Sequence, residues 1–267
     1  MKPILHFAHG NGFPSPCYRQ LLKNLQNDFQ CIYIDRVGHT TEYPVTDNWH
    51  HLVDEVINSI KTQAGSEPVI AVGHSLGGVL SFRAAIECSE LFKCLILLDS
   101  PVIGRFKSRV IRVSKMLGMI DHVTPAFRTR GRRQSWCTRE QAITYLRTRK
   151  LFKHFTDAAI ADYIDYGMEQ NDKGYTLRFN RQIEYQIYRT IPHILHEYEG
   201  QLKVPTGLIY GSRSNVIDWL DLSYMKKHYH IKMYPVRGSH MFPMEHPVDA
   251  AKLILKAVDN LLGGITC

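Results

Sequence analysis

No run of apolar residues in this 267-residue chain approaches the roughly 20 that a helix needs to cross a bilayer. The sequence therefore offers no transmembrane segment. The six cysteines, Cys17, Cys31, Cys88, Cys94, Cys137 and Cys267, contain no Cys-x-x-Cys pair, the spacing a metal site or redox motif would use. Cys31 and Cys94 lie in strand-like runs, so buried free thiols are expected rather than disulfides. No internal repeat or low-complexity segment is present, and no helix-turn-helix pattern accompanies the net charge of +8. Nucleic acid is therefore not an expected partner. Met1-Lys2-Pro3 leads straight into an apolar run without the layout of a signal peptide, and a cytoplasmic location is expected.

Acid is also missing locally. Residues 105–153 hold fourteen Lys and Arg against two acids, Asp121 and Glu140. Two readings stand: a solvated basic face, or a surface that attracts an anionic substrate or acidic lipid. Arg128, Arg130, Arg132 and Arg133 are the densest part of that stretch.

What is present is alternation. Residues 4–8, 31–35, 69–72, 94–98, 206–210 and 231–236 are short apolar runs that read as strands. Between them, residues 47–64 carry Trp49, Leu52, Val53, Val56, Ile57 and Ile60 at the spacing of a helix with one buried face, with Asp47 as the expected N-cap. A last helix follows Pro247. Such alternation implies right-handed crossovers and a parallel sheet covered on both faces, with functional residues at the carboxyl ends of the strands. The pattern stops near Asp99-Ser100-Pro101 and resumes near Val204-Pro205. The intervening 101–203 is rich in Arg, Lys, Tyr and Phe, with no convincing strand beyond 175–179, and reads as a helical insertion between core segments 1–100 and 204–267.

The most informative stretch is Val69 to Gly78, an apolar β-branched run that breaks into Gly73-His74-Ser75-Leu76-Gly77. A G-x-S-x-G pentapeptide between strand and helix is a nucleophile elbow, a turn so tight that only glycine fits two residues either side of the serine. It lifts the Ser75 hydroxyl above the sheet edge and places the Leu76 N–H to donate to a developing oxyanion. A serine hydroxyl is a weak nucleophile and needs an adjacent base.

Further motifs follow in order: His9-Gly10-Asn11-Gly12 after the first strand, Asp35-Arg36-Val37-Gly38-His39 after the second, and Gly238-Ser239-His240 with Glu245-His246-Pro247 before the last helix. With these, the chain resembles the α/β-hydrolase fold superfamily over about residues 3–100 and 204–265. The resemblance implies an α/β fold of about six mostly parallel strands flanked by helices, with a mainly helical cap. It implies His240 as general base and Asn11 as donor of the second oxyanion N–H by its backbone. His9, His74 and the Asn11 side chain are candidates for substrate contact. The acid departs from the commonest pattern, because Ser214 stands where an Asp is usual. Some members carry the acid one strand earlier, which points to Asp99, with Ser214 as an auxiliary partner; Asp218 is the alternative.

The expected activity is hydrolysis of a carboxylic ester or thioester, acyl-CoA included, through an acyl-Ser75 intermediate and without metal or organic cofactor. Carbon–carbon bond hydrolysis and acyl transfer use the same constellation, and a non-catalytic binding protein of the same fold is the rival from another class. Oligomeric state is not legible.

Overall fold

The computed structural model describes residues 2–263. Cys267, and with it the last residues of the expected core segment, lies outside them. Strands β1 (Ile4–Ala8), β2 (Gln30–Tyr33), β3 (Val69–His74) and β4 (Phe92–Leu98) alternate with helices α1 (Arg19–Leu25), α2 (His50–Ala64) and α3 (Leu76–Glu87). After β4 come α4 (Arg105–Met116), α5 (Ile120–Val123), α6 (Ala126–Arg130), β5 (Ser135–Trp136), α7 (Arg139–Arg147), α8 (Asp157–Gly167), β6 (Met168–Asn171), β7 (Gly174–Leu177) and α9 (Arg181–Arg189). The alternation then resumes with β8 (Thr206–Gly211), α10 (Trp219–Tyr229), β9 (Lys232–Val236), α11 (Phe242–Glu245) and α12 (Pro247–Leu262).

Six strands form one parallel sheet in the order β2-β1-β3-β4-β8-β9. Side chains alternate across it. Ile70, Val72, Cys94, Ile96 and Leu98 pack with α1 and α12, while Val69, Ala71, Leu95 and Leu97 pack with α2 and α3. Both faces are thus dry, which is why these strands read as continuous apolar runs. Each fully buried Leu or Ile there contributes roughly 1.5–3 kcal/mol of transfer free energy.

Strand order reverses between β1 and β3, since β2 and β4 lie on opposite sides of that pair. Ligands bind at such a switch point, in the crevice beyond the carboxyl ends of the strands. The turn after β1 and the elbow after β3 both open there.

Three expectations need correction. Asp47 does not cap the second helix. Its carboxylate pairs with Lys115, and the chain enters α2 through Asn48 and Trp49, both with positive φ. The segment between β4 and β8 is not helical apart from one strand, because β5, β7 and β6 form a small antiparallel sheet. Two-residue β5 is too short to leave a periodicity in sequence. Of the cysteines, Cys17 and Cys94 are buried, but Cys137 is exposed.

Candidate active site

Ser75 is the residue between β3 and α3, and its backbone is held at φ 51°, ψ −113°. A non-glycine residue in this region costs about 1–3 kcal/mol, which the surrounding packing must offset. Two contacts impose it: the Ser75 N–H donates to the Leu98 carbonyl at 3.0 Å, and the Gly77 N–H to the His9 carbonyl at 3.0 Å. The glycines are required by space. A Cβ on Gly73 would lie 2.5 Å from the Gly78 backbone, and one on Gly77 2.2 Å from the Ala8 carbonyl oxygen.

Asp99 leaves the end of β4, next to Ser75 across the sheet, and is fully buried. Its Oδ1 accepts the Gly211 N–H at 2.9 Å. Its Oδ2 accepts the Ser214 hydroxyl at 2.5 Å and faces His240 Nδ1 at 2.7 Å. An ionised carboxylate accepts only, so the His240 proton resides on Nδ1 and leaves Nε2 as the basic nitrogen. The structure thus brings Asp99, Ser214 and His240 together from three strand ends. Asp218 is engaged elsewhere: it is the N-cap of α10, accepting the Asp221 N–H at 3.0 Å, and it pairs with Lys107 at 2.7 Å.

The His240 loop is pinned from beneath. Glu245, nearly buried, accepts the Ser239 N–H at 2.9 Å and the Ser239 hydroxyl at 2.5 Å. On the other side of the crevice, the backbone N–H groups of Asn11 and Leu76 donate to no protein acceptor among the described residues. Two unengaged donors at a helix start and a turn are the parts of an oxyanion site. The Asn11 side chain donates from Nδ2 to the Glu184 carbonyl at 3.0 Å, and its buried Oδ1 has no partner among the described residues.

His9 and His74 have no ring nitrogen free for a substrate among the described residues. Both are buried, and both ring nitrogens of each are engaged by protein. His9 donates from Nδ1 to the Gly10 carbonyl at 2.8 Å and accepts the Val37 N–H on Nε2 at 2.9 Å. His74 accepts the Tyr18 hydroxyl on Nδ1 at 2.6 Å and donates from Nε2 to the His240 carbonyl at 3.0 Å. Tyr18 in turn accepts the Gly10 N–H at 3.1 Å. A continuous chain of hydrogen bonds therefore runs from the turn after β1, under the elbow, to the His240 loop. Burial pushes the His74 imidazolium pKa down to about 3 and that of His9 to about 4, so both are neutral near pH 7.

The arginines singled out in the sequence do not form one free patch. Arg132 lies against the turn after β1 but is paired with Glu184 at 2.7 Å and with the Tyr163 hydroxyl. A Cβ on Gly12 would meet this pair at 2.9–3.1 Å. Arg130 and Arg133 lie over aromatic rings, Tyr185 for the first, Trp136 and Tyr145 for the second.

Compared with known proteins, residues 7–253 match the model of the alpha/beta hydrolase family. The chain belongs to this family. Among curated relatives, it is 29% identical over 118 residues to Epoxide hydrolase 1 of Caenorhabditis elegans, covering 41% of this chain and 28% of that one. It is 32% identical over 98 residues to the pimeloyl-[acyl-carrier protein] methyl ester esterase of Shewanella oneidensis, covering 37% and 35%. The matches span less than half the length of these relatives. Among solved structures, a thioesterase domain from the curacin biosynthetic pathway superposes with a TM-score of 0.74 at 18% identity, covering 95% of this chain and 91% of that one. That likeness carries the fold alone.

Several residues that build the candidate site have no signature in the sequence. Tyr18, Glu184 and Tyr163 carry no local signal, since their partners are 8 to 173 positions away. Glu245 stands in the motif before the last helix, but only the folded loop reveals that it holds Ser239.

Proposed function

We propose that this chain is a serine hydrolase of carboxylic esters or thioesters, small acyl esters first and acyl-CoA thioesters second. In this reading the core, residues 1–100 and 204–267, carries the chemistry, and the cap, 101–203, admits the substrate. Ser75 attacks the acyl carbonyl while His240 Nε2 takes its proton. The N–H groups of Asn11 and Leu76 hold the oxyanion. His240 returns the proton to the leaving alcohol or thiol, then activates water to release the acyl group from Ser75. Asp99 holds the Nδ1–H tautomer and stabilises the imidazolium, and Ser214 fixes the Asp99 carboxylate.

The observation that carries this reading is the fully buried Asp99 carboxylate, 2.7 Å from His240 Nδ1, at the strand end beside the strained Ser75. A buried acid pointed at a histidine beside an elbow serine has no evident structural use that a neutral residue could not serve. The test is labelling with a fluorophosphonate, followed by a panel of p-nitrophenyl esters and acyl-CoAs of graded chain length. Stoichiometric modification at Ser75 and turnover of at least one ester class are expected. An unlabelled Ser75 in folded protein would overturn the reading.

A further inference from the structure

Helix α4 is built inside out. Its buried residues, Ser108, Ile111 and Ser114, are mostly small and polar, while Phe106, Val110, Val113 and the C-cap residue Leu117, spaced four, three and four apart, face solvent. Phe106 is 75% exposed, and Met116, on the flank of the same row, 77%. An apolar row on the outer face of a soluble helix is the reverse of the usual arrangement and marks a contact surface. Lys107 extends it. By pairing with Asp218 at 2.7 Å and Asp221 at 2.6 Å, it holds the start of α10 alongside, where Trp219 is 73% exposed.

Charge identifies the occupant. Residues 105–120 contain five Lys and Arg and no acid. Lys115 is tied to Asp47, Lys107 to α10 and Arg105 to Glu199. Arg109 and Arg112 form no ion pair among the described residues, and both are exposed beside the apolar row. A second copy of this chain docked through the face would set those arginines against a patch of the same sign, since a two-fold contact joins like to like. An anionic lipid surface satisfies both features, taking the apolar row into the acyl boundary and the arginines to its headgroups.

We infer that the outer face of α4, with Trp219 beside it, is a docking surface for an anionic phospholipid bilayer. It does not depend on the ester-hydrolase reading, because binding is measured without turnover.

The probe is the full chain mixed with vesicles of phosphatidylcholine, with or without phosphatidylglycerol. Co-sedimentation and tryptophan emission are the readouts. Trp49 and Trp136 are buried, so a blue shift on binding reports Trp219. Partition onto phosphatidylglycerol vesicles is expected, falling as salt is raised. Arg109→Gln with Arg112→Gln should lower the partition coefficient about twenty-five-fold, at roughly five-fold per charge. Phe106→Ser with Val113→Ser should lower it about ten-fold or more per residue. Circular dichroism melts confirm that the variants fold. If wild-type protein fails to partition, or the variants partition as well as wild type, the inference is wrong. Sedimentation of the wild type as a dimer that Phe106→Ser dissociates would overturn it in favour of a second copy.

Discussion

Replacing Asp99 by Asn keeps the shape of the side chain and removes one acceptor, and the hydrogen bonds around it dictate the consequence. The carboxylate receives three donors: the Gly211 N–H, the Ser214 hydroxyl and His240 Nδ1–H. An amide offers one oxygen. If that oxygen stays with Gly211, the NH2 group points at Ser214 and His240. Ser214 can rotate its hydroxyl and accept. His240 can accept only by moving its proton from Nδ1 to Nε2, the nitrogen that must take the proton from Ser75. The reversed amide sets two donors, its NH2 and the Gly211 N–H, against each other inside a fully buried site. In either arrangement the base is lost rather than weakened. In a serine protease, where the same substitution traps the wrong tautomer, the loss is about 10⁴ in kcat, or about 5.4 kcal/mol of transition-state stabilisation. A loss of that order is expected here. Ser214→Ala removes one hydroxyl donor from an ionised carboxylate that keeps two others, so a loss of about 1.5 kcal/mol, roughly tenfold, is expected. Asp218→Asn should leave kcat unchanged, because Asp218 caps α10 and does not reach His240. The assay is kcat and KM on p-nitrophenyl butyrate for all three variants, with melting curves to confirm folding. Asp99→Asn within tenfold of wild type, or Asp218→Asn as the crippled variant, would refute the reasoning.

Ser75→Ala and His240→Ala should each abolish esterase turnover, and the double variant should be little worse than either, because the two act as a unit; additive losses in kcat/KM would count against this. Ser75→Gly should melt higher than Ser75→Ala, since glycine accepts φ 51° without strain, by about 1 kcal/mol after its extra chain entropy. Gly77→Ala should fail to give soluble folded protein, since its Cβ would sit 2.2 Å from the Ala8 carbonyl oxygen; a normal melting curve would contradict the elbow geometry. Stability should also fall as pH drops from 6.5 towards 4. Burial lowers the pKa of His6 and His74 to about 3 and of His9 to about 4, so the unfolded chain takes up about three protons there that the folded chain refuses. Glu55, raised to about 7 mainly by burial, opposes this with one proton between 4.5 and 7. The net slope is about 2–3 kcal/mol per pH unit, and Glu55→Gln should steepen it; equal urea midpoints at pH 7 and 5.5 would refute the assignment.

Features encoded within a few residues are legible in the chain before it folds. The elbow is one, because Gly73 and Gly77 are demanded by contacts that admit no side chain. The strands are another, because burial on both sheet faces forces unbroken apolar runs such as Val69 to Val72. His240 is legible by its place after the last strand. Six mostly parallel strands follow from the alternation, whereas their order β2-β1-β3-β4-β8-β9 does not, because right-handed crossovers are compatible with more than one order.

Features that depend on residues distant in sequence emerge only when the chain is folded. Asp99 and Asp218 are both acids near a turn, and nothing local separates one that faces His240 from one that caps a helix. His9 and His74 sit in the motifs as site residues would, yet their ring nitrogens are taken by Val37, Gly10, Tyr18 and the His240 carbonyl. The arginines of 128–133 read as one charged cluster, but Arg132 meets Glu184 from 52 positions away, while Arg130 and Arg133 cover rings. The outward apolar row of α4 has the same periodicity as an inward one. Spacing sets which residues share a helix face, and only packing decides whether that face meets the core or the solvent.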